Sequence, residues 1–293
     1  MTMRVPAARL PEGPRTNGSD TLPMTVVAQR DDGAPPRATP ARSTLMERVR
    51  AAAIHLLLSV AVGAGVLALV LFVWYPDPLM RLLGVDAILL IMLGVDVVLG
   101  PLFTLIVFDR RKRSLKWDLA VIAALQVAAL LYGLHTVYQG RPAFVAYVKD
   151  RFEVVSPAEL LPEARAAARS NSAARIDPLA PRFVSARLPE SAEERQKILV
   201  EALTQGRDVQ HHPRLYVEYD TDAASALERA LPLGRLRALN PGAGAAIDAA
   251  VAATGLPEAS LRYLPVRGPA RDGAALLDAA SGRVVKLVAL VPW

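Results

Sequence analysis

Three long apolar runs dominate the sequence, and they lie at residues 51–75, 84–108 and 119–138. Each run holds about 20 to 25 residues, which is the length that a helix needs to cross a hydrocarbon core of ~30 Å. A buried helix of a soluble protein rarely stays apolar on every face over such a length. The pattern therefore predicts a membrane protein with three transmembrane α-helices in the region 46–140.

The segment before the first run has a different composition. Residues 1–45 contain seven prolines and scattered polar residues, without apolar periodicity. Such a segment cannot bury enough apolar surface to offset the entropy of the chain. We predict either a disordered cytoplasmic tail or an error in the start site, because Met46 is itself a plausible translation start.

The charges indicate how the spans are oriented. The net charge is +6, and five basic residues stand between the second and third spans: Arg110, Arg111, Lys112, Arg113 and Lys116. Short loops rich in lysine and arginine stay in the cytoplasm, so we predict a cytoplasmic N-terminus and an extracytoplasmic C-terminal region. Beside a transmembrane helix, such a basic cluster is expected to contact anionic lipids rather than nucleic acid.

The residues after the third span predict a small extracytoplasmic α+β domain at 141–293. Residues 143–155 are rich in β-branched and aromatic side chains, which favours two short strands meeting at Lys149. Apolar segments at 274–278 and 284–291 flank a turn and predict a β-hairpin. We expect these strands to form a small antiparallel sheet.

The sequence offers little for catalysis. It contains no cysteine, which excludes disulfides, thiolate metal sites and cysteine nucleophiles. The C-terminal domain has no serine-hydrolase, zinc-protease, P-loop or dinucleotide-binding motif. His211 and His212 are adjacent without a carboxylate at ligand spacing, so they are expected to be a surface pair rather than a zinc site. We predict no enzymatic activity, no metal and no cofactor.

Polar residues inside the apolar runs are the best candidates for function. Asp96 lies about twelve residues from either end of the second span, where a charged carboxylate is costly. We expect it to bond to Gln126 of the third span, although a proton relay or a catalytic carboxylate are open alternatives. Gly94 and Gly100 allow a neighbouring helix to approach closely, and Pro101 predicts a kink.

One histidine completes this set of intramembrane polar residues. His55 stands near the start of the first span, within an otherwise apolar run. It is expected to act as a hydrogen-bonding residue near the inner face of the membrane. His135, the other histidine in the predicted spans, lies near the opposite face of the membrane. The two histidines therefore cannot share a metal ion.

From about residue 46 to the end, the chain resembles the type IV pilin accessory proteins. The resemblance is carried by residues 53–57 (AIHLL), 74–76 (WYP), 94–96 (GVD), 99–101 (LGP), 118–122 (DLAVI), 141–142 (RP), 151–155 (RFEVV), 264–268 (LPVRG) and 292–293 (PW). It implies a bacterial inner-membrane protein, with its C-terminal domain in the periplasm, that helps one particular pilin to be stabilised or assembled. The implied partners are a major or minor type IV pilin and the pilus assembly machinery.

The resemblance implies no catalytic residues. The alternative function is a membrane-anchored sensor or ligand-binding module, whose periplasmic domain would bind a ligand. A sensor needs an output module in the cytoplasm, and the predicted cytoplasmic parts are only the tail and the short basic loop. The accessory role is therefore the favoured interpretation.

Overall fold

The computed structural model describes residues 41–293. The predicted tail at 1–45 lies outside the described residues, except for its last five residues, which already belong to the first helix. The N-terminal half contains four helices, α1 (Ala41–Leu69), α2 (Leu79–Leu83), α3 (Asp86–Val107) and α4 (Leu115–Gln139). Helix α1 continues as a π-helical turn through Val70–Trp74.

Three of these helices are long and apolar enough to cross a membrane, which confirms the predicted number of apolar helices. The candidate spans are Leu45–Trp74, Asp86–Val107 and Leu115–Gln139. Their apolar side chains are mostly exposed, as expected for surfaces that face lipid. Helix α3 packs against both α1 and α4, so it forms the centre of the helical bundle.

The remaining residues form a domain built on one sheet. Its strands are β1 (Phe144–Val148), β2 (Arg151–Val155), β3 (Arg182–Ala186), β4 (Tyr216–Glu218), β5 (Leu231–Pro232), β6 (Leu261–Arg267), β7 (Gly273–Asp278) and β8 (Val284–Val288). Its helices are α5 (Pro162–Ala167), α6 (Ala192–Gln205), α7 (Ala223–Arg229), α8 (Leu233–Leu239) and α9 (Gly244–Thr254).

The sheet is mixed, so the prediction of a small antiparallel sheet was wrong. Its eight strands follow the order β4-β3-β1-β2-β6-β7-β8, with β5 paired to β6. The predicted hairpins β1–β2 and β7–β8 are antiparallel, but β1 pairs with β3 and β2 pairs with β6 in parallel. Parallel pairing requires crossover connections, and the intervening segments with their short helices provide them.

Helix α2 joins the long helices to the sheet domain. Leu79 and Leu82 are buried in the same apolar cluster as residues of β1, β2, β6 and β7. The backbone carbonyl of Leu82 accepts hydrogen bonds from the amides of Ala270 and Arg271, at 3.0 and 3.2 Å. A Cβ atom at Gly268 would lie 2.5 Å from this carbonyl, so only glycine permits the contact.

Two further contacts fix the ends of the helices at this junction. The Tyr75 hydroxyl donates to the backbone carbonyl of Val137 at 2.7 Å, which links the end of the first long helix to that of α4. Arg141 is buried, stacks on the Tyr138 ring at 3.7 Å and donates to the Tyr138 carbonyl at 2.8 Å. Its burial lowers the pKa of the guanidinium group. The sheet domain is therefore packed directly against the ends of the helices rather than tethered by a linker.

Leu82→Ala is expected to weaken this junction. Removing a fully buried leucine side chain typically reduces the free energy of unfolding by about 2–5 kcal/mol, so the thermal midpoint in detergent micelles should fall by several degrees. Leu179→Ala is the matched control, because Leu179 is 61% exposed and its loss should change stability by less than about 0.5 kcal/mol. Equal midpoints for the two variants would contradict the role of Leu82.

Candidate functional site

The polar residues of the three long helices meet around Gly100 of α3. Gly100 is buried, and a Cβ atom there would lie 2.1 Å from Nε2 of Gln126 and 2.9 Å from Nε2 of His55. Because Gly100 has no side chain, polar side chains of α1 and α4 can lie against the backbone of α3. The sequence predicts this close approach, and the structure identifies its partners as His55 and Gln126.

Gln126 contacts Asp96 in a different way from the one expected. Its Nε2 donates to the backbone carbonyl of Asp96 at 3.3 Å, not to the carboxyl group. Because Gly100 has no side chain, the Gln126 amide occupies that space and reaches the backbone of the preceding turn. Pro101 lies within α3 without ending it, and it removes one amide donor from this part of the helix.

His55 is half-buried and pairs with a residue that the sequence analysis did not select. Its Nδ1 is 2.6 Å from Oγ1 of Thr104, which is only 3% exposed. Thr104 follows Gly100 by four residues, so the two share one face of α3. This spacing is the signal that could have identified Thr104. The hydrogen bond joins α1 to α3 near the end of α3, and it agrees with the hydrogen-bonding role expected of His55, whose depth near the inner face of the membrane stays a prediction.

Gly94 differs from Gly100 in its surroundings. A Cβ atom at Gly94 would meet no atom within 4 Å, whereas one at Gly133 of α4 would lie 2.5 Å from the sulfur of Met92. The close approach of α4 to α3 therefore uses Gly133 as well as Gly100, and the sequence analysis did not select Gly133. Gly94 leaves its part of the α3 surface open to contact with another molecule.

A groove lies between α1 and α4, with α3 as its floor, and encloses about 190 Å³. Its walls are apolar except for His55, Ser59, Asp96 and Gln126. Asp96 also lines a second cavity of about 280 Å³ between α3 and α4, whose other residues are apolar or glycine. The Asp96 side chain is therefore placed at surfaces of the bundle rather than sealed inside it.

The basic loop is partly neutralised by acidic residues around it. Arg110 is 3.5 Å from Glu47 and Lys112 forms an ion pair with Asp118, while Arg48 lies 3.8 Å from Asp109. All five basic residues of the predicted cluster, Arg110, Arg111, Lys112, Arg113 and Lys116, are exposed. Exposed pairs of this kind contribute about 0–1 kcal/mol each, so the loop retains its capacity to interact with anionic groups.

His211 and His212 are half-buried, so they are less exposed than the surface pair that the sequence predicted. Nδ1 of His211 is buried without a hydrogen-bond partner in residues 41–293. Nε2 of His212 lies 3.3 Å from Oε2 of Glu201, close enough for an ion pair but without the geometry of a hydrogen bond. The first helical turns after α6 fold back on that helix, which leaves both histidines half-buried. No group of three or more potential metal ligands occurs in the described part of the chain.

Gly100→Ala is expected to disrupt the contacts around α3. The added methyl group forces Gln126 and His55 away from the α3 backbone, and such overpacking costs about 1–3 kcal/mol. The thermal midpoint in detergent should therefore fall, and Gln126→Ala should restore part of the loss because it removes the clashing atoms. Gly94→Ala is the control and should leave the midpoint unchanged or raised; a loss at Gly94 equal to that at Gly100 would contradict the interpretation.

The free energy of unfolding is expected to fall at acidic pH because of His212. Burial lowers the pKa of His212 below its usual value near 6.5, and the nearby Glu201 only partly offsets this. The unfolded chain therefore binds a proton more readily than the folded one, so stability is lost as pH falls through and below ~6.5. His212→Gln should flatten the dependence of the thermal midpoint on pH between 7 and 5. An unchanged slope would show that His212 does not contribute.

Comparison with known proteins identifies relatives for much of the chain. The family model described as fimbrial assembly protein FimB matches residues 43–84, which include the α1 wall of the groove and helix α2. No solved structure gives a significant match.

Three curated relatives come from Dichelobacter nodosus. The fimbrial assembly protein of serogroup I is 32% identical over 188 residues, covering 62% of this chain and 71% of the relative. That of serogroup E1 is 30% identical with the same coverage. That of serogroups C1 and C2 is 34% identical over 110 residues, covering 37% of this chain and 84% of the relative. The chain therefore belongs to the fimbrial assembly protein family, which confirms its resemblance to the type IV pilin accessory proteins.

Proposed function

We propose that this protein is a non-enzymatic accessory factor that stabilises one type IV pilin, or assists its assembly, at the bacterial inner membrane. Its relatives are named for fimbrial assembly, and a membrane-embedded helical bundle suits a step that precedes the finished fimbria. His55 and Gln126 form hydrogen bonds to the neighbouring helix α3, which favours a structural role for these two polar residues. The pilin is its proposed partner, together with the assembly machinery that receives the pilin.

The proposed topology places the N-terminus and the loop between α3 and α4 in the cytoplasm. The five basic residues of that loop support this orientation. At the other end of the bundle, the rings of Trp74 and Tyr138 pack with their centroids 5.0 Å apart, as is common for aromatic residues at a membrane interface. The sheet domain then lies in the periplasm.

The observation that best supports the proposal is the direct packing of the sheet domain on the long helices. A pilin in the inner membrane has an apolar helix in the lipid and a globular head outside it. Leu82 holds the periplasmic domain against the bundle through two backbone hydrogen bonds. The protein thereby offers a membrane surface and a periplasmic surface in a fixed relation, so it can contact both parts of one pilin at once.

A strain that lacks this chain is expected to lose pilin or surface pili. Without the accessory factor, the pilin helix and head lack their shared binding surface, so pilin is degraded or remains unassembled. Immunoblots of whole cells for pilin and electron microscopy of surface pili measure the two effects separately. Expression of the full chain should restore both.

Expression of a chain that begins at Met46 in the deletion strain is a second complementation experiment. Its success would show that residues 1–45 are dispensable for the pilin-related function. Unchanged pilin and piliation in the deletion strain would contradict the proposal and favour the sensor interpretation. The search would then turn to a ligand of the sheet domain.

A further inference from the structure

The groove between α1 and α4 contains a carboxyl group for which the described residues supply no hydrogen bond. No hydrogen bond to the Asp96 carboxyl group occurs within residues 41–293. Two nearby side chains make other hydrogen bonds, since Gln126 donates to the Asp96 backbone carbonyl and Nδ1 of His55 pairs with Thr104. In the middle of a membrane there is no bulk water to bind such a group. A polar group in this setting is stabilised when another molecule brings it a donor.

The shape of the groove favours a helix as that molecule. Ser59, Gly63 and Ala123 are small residues on its α1 and α4 walls, and small residues allow a neighbouring helix to approach closely. The volume of about 190 Å³ is below the ~300–1,000 Å³ that is typical of small-molecule sites. A row of side chains from one face of a helix fits this space better than a compact ligand does.

We propose that the groove binds the apolar membrane helix of the pilin, and that Asp96 accepts a hydrogen bond from a neutral donor on that helix. This inference rests on the proposed function for the identity of the partner. Asp96 sits about midway along α3, so the matching donor lies near the middle of the bilayer, among apolar neighbours. The pairing specifies both the depth and the rotation of the bound helix, because any other register leaves both polar groups without partners.

A second copy of this chain matches the groove less well. The outward-facing residues near the depth of Asp96 are apolar, including Leu57, Val98, Leu99 and Leu125, so they supply no donor. The second cavity beside Asp96 lacks the additional polar residues that line the groove, and it therefore offers less to a polar partner.

Disulfide cross-linking in cells tests the proposal, because the chain contains no cysteine of its own. Val62→Cys and Val127→Cys place a thiol on the α1 and α4 walls of the groove, at side chains that are 51% and 55% exposed. Val60→Cys and Val95→Cys are matched controls outside the groove, at side chains that are 47% and 42% exposed. Each full-length variant is expressed with pilins that carry single cysteines along the membrane helix, and adducts are detected by non-reducing immunoblots for both proteins.

The two groove variants are expected to form adducts with pilin, with yields that peak at one register of the pilin helix. Asp96→Leu should reduce that yield roughly three- to twenty-fold, the equivalent of one hydrogen bond between membrane helices. Asp96→Asn should retain most of it, because the amide still accepts a hydrogen bond. Asp86→Leu changes an exposed aspartate of the same helix and should have no effect.

Several outcomes would overturn the proposal. Equal or higher yields from Val60 or Val95 would place the pilin elsewhere, and adducts between two copies of this chain at Val62 would favour self-association. Insensitivity to Asp96→Leu would remove the proposed hydrogen bond. If pilin levels depend on the chain but the groove variants give no pilin adduct, only this inference fails. If pilin and pili do not depend on the chain at all, the proposed function itself fails.

Discussion

The arrangement of the three long helices depends on the absence of a side chain at Gly100. At that point the amide of Gln126 and the ring of His55 approach the backbone of α3 from two other helices. Between apolar helices in lipid there is little hydrophobic driving force, so close packing and hydrogen bonds determine how the helices associate. The bonds of Gln126 to Asp96 and of His55 to Thr104 set the rotation of α4 and α1 about α3. That rotation in turn places the Asp96 carboxyl group in the groove.

The sheet domain adds a second surface beside the surface of the helical bundle. Helix α2 inserts Leu79 and Leu82 among the apolar residues of the sheet, while Tyr75 bonds to the end of α4. Because these contacts involve backbone carbonyls and buried side chains, they hold the domain in one position relative to the bundle. Under the proposal that the groove binds the pilin, the bound pilin therefore faces the same side of the sheet domain each time.

The sequence predicted the features that depend on local pattern, and it missed those that depend on how elements meet. The three apolar helices follow from run length alone, and the β1–β2 hairpin follows from side-chain type, with Lys149 in the left-handed conformation at its turn. Strand β6 was not predicted, and it contains Pro265. It tolerates this proline because its pairing with β2 involves only Val266 and Arg267. Parallel pairing of β1 with β3 depends on crossovers, which no local pattern specifies.

The same limit applies to the candidate site. Asp96, Gln126, Gly100 and His55 were recognised because polar and small residues are conspicuous in apolar helices. The Gln126 amide bonds to the Asp96 backbone, so it does not supply a hydrogen bond to the Asp96 carboxyl group. This arrangement depends on the rotation of α4, which the sequence pattern does not specify.

Direct binding of the pilin is best measured with the full chain and full-length pilin reconstituted together in lipid nanodiscs. We predict a complex whose dissociation constant increases roughly three- to twenty-fold on Asp96→Leu, as expected for the loss of one hydrogen bond in lipid, and does not change on Asp86→Leu. Absence of a complex, or equal affinity for the wild type and the Asp96→Leu variant, would contradict it.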